Sequence, residues 1–198
     1  MKNRRRWIWK PVVFLACLGP LLSLIYRFRT DDLGVNPVEF ITHATGDWTI
    51  RILLLSLAIT PLRRWFGWNE LIAYRRMLGL FAFFYGCLHF AIWFWLDKSL
   101  DPAEMWADIV KRRFITAGML GLVIMVLLAI TSTKGWIRRM GRNWARLHKL
   151  VYISAIAGVV HYWWLVKSDI RLPALYGAIT AMLLGARAWA AWRKTAVR

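Results

Sequence analysis

Three of the four histidines in this sequence lie within long apolar segments or at their ends: His89, His148 and His161. An ionisable side chain at membrane depth costs free energy, so its presence predicts a functional site. A neutral imidazole is a common protein ligand for iron, including the iron of a haem. Histidines on two neighbouring helices at one depth would bind a b-type haem between them, and the residue types indicate this chemistry.

The spacing of the histidines predicts an outer pair. His89 follows the Arg75-Arg76 pair at the start of its segment by fourteen residues, and His161 lies a similar distance after the basic Lys149. His89 and His161 are therefore predicted to share one depth and to supply the two axial ligands of one haem.

His148 is predicted to serve an inner haem site, or another site that is distinct from the outer pair. It precedes His161 by thirteen residues, which on one helix is a rise of about 20 Å and a separation of about 140° around the axis. The helix must therefore bend, with Gly158 as one place for the bend, or the two histidines must serve different sites. On the other segment Arg75 or Arg76 occupies the matching depth, so an inner haem would have one histidine.

The simpler alternative is that each histidine only forms a hydrogen bond with a neighbouring helix or a backbone carbonyl. The matched depths favour ligation over this alternative. The fourth histidine, His43, precedes a polar stretch that includes Gly46, and it is predicted to be a solvated loop residue. The second helix is then predicted to have Thr45 or Asp47 as its N-cap and to stop at Pro61.

The elements that carry these residues are predicted to be membrane-spanning helices. Of the 198 residues 59% are hydrophobic, and the apolar runs lack the alternation that is typical of strands. Six runs are long enough, or nearly so, to span a bilayer; they are about 11–26, 48–62, 77–96, 114–131, 150–166 and 172–190. The predicted fold class is all-α, an integral membrane bundle of six transmembrane helices in a single domain (1–198) without an internal repeat.

Membrane topology accounts for the formal net charge of +18. With the N-terminus in the cytoplasm, the inward-facing segments carry 19 Lys or Arg and the outward loops carry 8. This asymmetry follows the positive-inside rule and predicts that both termini are cytoplasmic. Membrane lipid is thus the predicted partner of the basic residues, and no nucleic acid is expected.

Three arginines are candidates for contacts with an anionic cofactor. Arg51 lies about one turn into the second apolar segment, where it either snorkels to the interface or binds a haem propionate. Arg75 and Arg76, with the acid-free run 134–149, offer fixed positive charge to a cofactor or to an acidic partner. The alternative is that these basic residues only enforce the topology and bind lipid.

Several short motifs in their order resemble those of a known family. They are Asn36-Pro37-Val38-Glu39, Thr45-Gly46-Asp47-Trp48, Thr60-Pro61-Leu62-Arg63-Arg64, Arg75-Arg76-Met77-Leu78-Gly79-Leu80, Leu88-His89, Lys111-Arg112-Arg113-Phe114-Ile115, Thr131-Ser132, Trp144-Ala145-Arg146-Leu147-His148-Lys149-Leu150-Val151-Tyr152 and His161. Over nearly its whole length the chain resembles the MsrQ (YedZ) family, within the ferric-reductase-like transmembrane proteins. That family comprises the haem-binding membrane subunits of the bacterial protein-methionine-sulfoxide reductase system.

The resemblance implies an electron relay in the bacterial inner membrane that contains haem b and also FMN. Its acceptor would be a periplasmic molybdopterin-containing methionine-sulfoxide reductase subunit, MsrP, which repairs oxidised envelope proteins. Its donor would be the quinone pool or a cytoplasmic flavin reductase, and Arg75 and Arg76 would be candidates for the FMN phosphate. Ferric-reductase relatives carry two histidine pairs, of which this chain keeps three positions and has arginine at the fourth.

The residues themselves predict a subunit rather than a complete enzyme. The sequence has no G-x-G-x-x-G after a strand and no P-loop, so a nicotinamide-binding domain is not expected. The outward loops show no catalytic acid–base cluster, so electrons must enter from one partner and leave to another. Two other hypotheses stay open: a stand-alone membrane reductase of ferric chelates or quinone, and a proton or ion conduit in which the histidines relay protons.

Overall fold

The computed structural model describes residues 2–97 and 100–196. The predicted all-α class is confirmed, since the described residues form helices and turns without a strand. The α-helices are α1 (Lys2–Arg29), α2 (Pro37–Phe66), α3 (Arg75–Ile92), α4 (Pro102–Lys111), α5 (Arg113–Ile130), α6 (Lys134–Met140), α7 (Arg142–Leu147), α8 (Val151–Leu165) and α9 (Arg171–Ala196). Two 3₁₀ segments (Asn69–Ala73 and His148–Leu150) and a π-helical segment (Trp93–Asp97) complete the described elements.

Four of the described helical segments are long and apolar enough to cross a membrane: Trp9–Arg29, Arg75–Leu96, Arg113–Ile130 and Arg171–Arg193. The other two predicted spans, 48–62 and 150–166, correspond to part of α2 and to α8. At 15 residues α8 is about 22 Å long, shorter than a hydrocarbon core of about 30 Å. Six spans with both termini in the cytoplasm therefore remain a prediction.

Helix α2 begins earlier than the sequence predicts. Asn36 lies just before it and accepts a hydrogen bond from the Glu39 backbone N–H at 3.2 Å, while its amide donates to the Glu39 carboxylate at 3.0 Å. This reciprocal cap, followed by Pro37 in the first helical position, starts the helix there. The prediction that His43 lies in a loop was therefore wrong, because His43 is inside α2.

The polar start of α2 stays helical because its hydroxyls bond within the helix. The side chains of Thr42, Thr45 and Thr49 donate to carbonyls four residues earlier, at 2.7–2.8 Å. Pro61 does not end the helix, which continues to Phe66 and stops before Gly67, whose φ is +70°. A proline removes one backbone donor, and here α2 passes through it.

The chain divides into two compact units. The first unit comprises Met1–Ser56 and Asn69–Trp106 and contains α1, the N-terminal part of α2, and α3. Tyr85 of α3 is fully buried in it, and its hydroxyl accepts from the Leu21 N–H at 3.1 Å and donates to the Cys17 carbonyl at 2.8 Å. An unbroken α-helix would pair those two groups with each other. Pro20 lies between these two groups inside α1, and prolines commonly weaken helix hydrogen bonding, so the Tyr85 hydroxyl supports the helix at its proline.

The second unit comprises Leu57–Trp68 and Ala107–Arg198. Helices α5 and α8 form its most extensive pair, and small residues let their backbones approach. The Ser154 hydroxyl of α8 is buried and donates to the Gly121 carbonyl of α5 at 3.0 Å. This helix pair carries Phe114 on α5 and His161 on α8.

Candidate functional site

His89 lies in the last turn of α3, within the first unit. Its Nδ1 is 2.9 Å from the backbone carbonyl oxygen of Thr42 on α2. Because a carbonyl can only accept, this hydrogen bond requires the proton on Nδ1. The neutral ring then carries its lone pair on Nε2, which is the form of histidine that binds a metal through Nε2.

His161 lies near the end of α8, within the second unit. Its Nδ1 is 2.7 Å from the backbone carbonyl oxygen of Phe114 on α5. The same argument assigns the proton to Nδ1 and the lone pair to Nε2. The Phe114 ring lies beside the imidazole, with centroids 5.9 Å apart, so the ring is also bounded by an aromatic side chain.

The two histidines are held in the same way by residues at the same spacing. In each unit the histidine lies 47 positions after the residue whose carbonyl it contacts. The sequence analysis found no internal repeat, yet the structure shows one hydrogen-bonding arrangement twice. The simpler alternative, a hydrogen bond to a carbonyl, is therefore present at both histidines. It is also the contact that orients histidine ligands of metals, so it is compatible with ligation.

His148 is held in the opposite tautomer. Its Nε2 is 3.0 Å from the Thr131 hydroxyl oxygen. That hydroxyl lies 2.7 Å from the Leu127 carbonyl, to which it donates, so it accepts from His148. The His148 proton is thus on Nε2 and the lone pair on Nδ1. Ligation through Nε2 would require His148 to give up the contact with Thr131.

Trp144 completes the surroundings of His148. Its ring stacks on the imidazole with centroids 4.0 Å apart, and its indole N–H donates to the Thr131 carbonyl at 2.8 Å. His148 begins the 3₁₀ segment that precedes α8, so His148 and His161 do not share one straight α-helix. Gly158, where the sequence analysis allowed a bend, is inside α8, and the change from α-helix to 3₁₀ helix occurs at His148–Leu150.

The candidate arginines lie in the first unit. Arg51 forms an ion pair with Asp47, one turn earlier on α2, at 2.8 Å, and its guanidinium lies 5.2 Å from the Trp48 ring. Arg75 and Arg76 form the first turn of α3, where Arg75 is partly buried and Arg76 is exposed. The Arg75 carbonyl accepts a hydrogen bond from the Ser56 hydroxyl at 3.2 Å, which fixes the start of α3 against α2.

The second unit contains a cationic cleft that the sequence analysis missed. It has a volume of about 340 Å³ and is lined by the end of α2 and by α9, including Arg64, Arg187 and Arg193. Trp65 and Trp189 contribute aromatic walls. Arg64 on α2 is far in sequence from Arg187 and Arg193 on α9, so only the packing of α9 on the end of α2 brings the three arginines together. The cleft could accept an anionic group that also has an apolar or aromatic part.

A family model described as the ferric reductase like transmembrane component matches residues 45–159, more than half of the chain. This chain is 51% identical to a protein of Herminiimonas arsenicoxydans over 93% of its own length and 86% of that protein. It is 50% identical to a protein of Ralstonia nicotianae, over 91% and 85% of the two chains. A protein of Bordetella pertussis is 46% identical, over 93% and 91%. Each of these relatives is named protein-methionine-sulfoxide reductase heme-binding subunit MsrQ.

The chain belongs to the MsrQ family of ferric-reductase-like transmembrane proteins. The resemblance stated from the sequence is thereby confirmed. With several helices long and apolar enough to cross a bilayer, this MsrQ family member is a multi-pass membrane protein. The matched region includes His89, His148 and the three candidate arginines, and it ends two residues before His161.

Proposed function

We propose that this protein is a haem b electron-transfer subunit of the bacterial inner membrane that serves a methionine-sulfoxide reductase system. The observation that carries the proposal is the matching contact of His89 and His161 with a backbone carbonyl through Nδ1, which places the lone pair of each neutral ring on Nε2. The names of the relatives, which describe heme-binding subunits, support the same assignment.

The residues of this chain fit a haem. Two neutral imidazoles on separate apolar helices are the donor set of a low-spin b-type haem. His89 and His161 would supply the axial ligands, and Arg51 is a candidate for a propionate contact. A bound haem would supply reversible one-electron chemistry. The protein's own contribution is to orient both rings through the Thr42 and Phe114 carbonyls.

We propose that electrons enter from the quinone pool or a cytoplasmic flavin reductase and leave to the periplasmic molybdopterin subunit MsrP. FMN is the proposed second cofactor. Its phosphate could bind Arg75 and Arg76, which lie together in the first turn of α3. The cleft that contains Arg64, Arg187 and Arg193 is a second place with the charge to bind this phosphate.

The purified protein in detergent tests the proposal directly. We expect a Soret band and a low-spin bis-imidazole spectrum, with the ratio of haem to protein fixing the number of haems. The chemically reduced protein should be reoxidised by MsrP with a methionine-sulfoxide substrate, and slowly or not at all by a ferric chelate. Fast reoxidation by the chelate alone would favour a stand-alone reductase, and a protein without a Soret band would favour a proton or ion conduit.

His148 is predicted to affect electron entry more than the outer haem. Replacing His148 by alanine removes the ring that lies between Thr131 and Trp144, but leaves the contacts of His89 and His161 in place. The variant should keep the outer haem and lose any inner haem. Its reduction by a cytoplasmic donor should be slower than that of the wild type. Stopped-flow reduction by a flavin reductase measures the rate. Unchanged haem content together with an unchanged rate would give His148 a purely structural role.

The basic residues at the start of α3 are predicted to receive the donor or its cofactor. Replacing both Arg75 and Arg76 by glutamine removes two charges and should slow reduction and weaken its dependence on salt. The matched variant replaces Arg64 and Arg193, which line the cleft of the second unit, by glutamine. FMN content and reduction rates at several salt concentrations will show which pair of arginines binds the donor or its cofactor. Equal behaviour of both variants and the wild type would assign these arginines to topology alone.

A further inference from the structure

Beside each of the two imidazoles, of His89 and His161, lies a glycine whose position leaves little space for a side chain. A Cβ built on Gly118 of α5 would lie 2.8 Å from Nδ1 and 3.1 Å from Cε1 of His161. A Cβ built on Gly46 of α2 would lie 3.1 Å from Cε1 and 3.2 Å from Nδ1 of His89. Nonbonded carbon contacts are most favourable near about 3.5–4.0 Å, so either methyl group would push the ring away.

The position of the glycine follows from helix geometry. In both cases it lies four residues after the carbonyl that the histidine contacts: Gly46 after Thr42, and Gly118 after Phe114. Side chains of a helix lean toward its N-terminus, so the Cβ at position i+4 covers the carbonyl of residue i. Glycine leaves that carbonyl open to a donor outside the helix. The imidazole occupies the space and reaches the oxygen.

We infer that Gly46 and Gly118 are positioning residues for the two histidines, and that the protein carries two copies of one structural motif. In each copy the first helix supplies an open carbonyl and a glycine four residues later. The second helix supplies a histidine 43 residues after that glycine. The inference rests on the proposed function, because it assigns the glycines to the orientation of ligand imidazoles.

The two glycines differ in their predicted effect. At Gly118 the added methyl group would collide with the nitrogen that forms the hydrogen bond, at 2.8 Å. At Gly46 the closest atom would be Cε1 at 3.1 Å, so a smaller movement of His89 relieves the contact. Gly118→Ala should therefore displace its histidine more than Gly46→Ala.

The chain offers two matched controls. Gly121 lies on the same helix as Gly118 and faces α8 as well, but a Cβ there would meet its nearest atom, the Ser154 carbonyl oxygen, at 3.6 Å. Gly158 lies on α8 with His161, and nothing lies within 4 Å of its added Cβ. Gly121→Ala tests helix packing, and Gly158→Ala tests the general effect of alanine in α8.

The experiment measures haem loss from each purified variant to excess apomyoglobin, together with the midpoint potential of the retained haem. Disturbing a group that orients a metal ligand weakens metal binding by about 10- to 100-fold. Gly118→Ala should lose haem faster by about that factor, Gly46→Ala by less, and both controls at the wild-type rate. Weaker donation from Nδ1–H to the carbonyl makes the imidazole a poorer electron donor, so the midpoint potential should rise in Gly118→Ala and Gly46→Ala.

His89→Ala and His161→Ala in the same assay distinguish the positioning role of the glycines from the ligand role of the histidines. If these variants lose haem while Gly118→Ala and Gly46→Ala match the controls in both measurements, the positioning role is wrong and the ligand assignment stands. If the histidine variants retain haem, both are wrong. If Gly121→Ala loses haem as fast as Gly118→Ala, helix packing explains the effect instead. Gly46 is in the first unit and Gly118 is in the second. If Gly118→Ala does not fold, Gly46→Ala tests the positioning role by itself.

Discussion

Replacing His89 or His161 by alanine should deplete haem by more than about tenfold, because losing a ligand must cost more than losing a group that merely orients one. Each substitution removes an Nε2 donor and leaves the partner carbonyl, of Thr42 or Phe114, in its helix. The carbonyls remain bonded within α2 and α5, so we expect membrane insertion to be unchanged. The ratio of Soret absorbance to protein in purified samples measures the effect.

His43→Ala is the matched control for these variants. His43 lies on α2 with a half-exposed side chain, 3.8 Å from the Glu39 carboxylate. It should keep wild-type haem content. Full haem content with an unchanged low-spin spectrum in both His89→Ala and His161→Ala would contradict the assignment of the outer pair. Loss of haem in only one of them would indicate that the other histidine is not a haem ligand.

Substitution of Tyr85 should lower stability more than most single changes in the first unit. Tyr85→Phe removes both hydrogen bonds next to Pro20 and should cost about 2 kcal/mol, since hydrogen bonds between membrane helices contribute about 1 kcal/mol each. Tyr85→Ala also empties the space of a fully buried ring and should cost about 4 kcal/mol. Thermal unfolding in detergent measures both values.

The control for Tyr85 is Tyr26→Phe, because Tyr26 lies on α1 with 69% of its surface exposed. Its midpoint of unfolding should equal that of the wild type. A Tyr85→Phe midpoint equal to that of Tyr26→Phe would show that α1 closes its own hydrogen bond at Pro20 without Tyr85. The gap between the alanine and phenylalanine variants of Tyr85 isolates the contribution of packing.

The helical class and the candidate histidines could be predicted because they depend on local sequence. Long apolar runs can satisfy their backbone groups in a bilayer only as helices, and a histidine within such a run is visible without knowledge of its neighbours. The start of α2 could have been predicted as well. Asn36, Pro37 and Glu39 form a recognisable cap, but the polar residues that follow, including His43, were interpreted as a loop.

The details of the site could not be predicted in the same way. The tautomers of His89 and His161 depend on carbonyls 47 positions away in sequence, and such pairings exist only after helices pack. Gly46 and Gly118 have no local property that separates them from Gly121 or the other helical glycines. The repeated spacing of glycine and histidine is visible in the sequence. It indicates a shared motif only once the structure places Gly46 beside His89 and Gly118 beside His161.

The contact of each imidazole with a carbonyl and a glycine also bears on the speed of electron transfer. A carrier that gains and loses one electron is slowed by any ligand that must shift with the change in charge. The His89 and His161 rings are each held at Nδ1 by a backbone carbonyl, and a glycine lies beside each ring. Such preorganised groups need little rearrangement at the moment of reaction. For the proposed electron relay we therefore expect a low reorganisation energy, which would allow transfer with a small difference in potential between donor and acceptor.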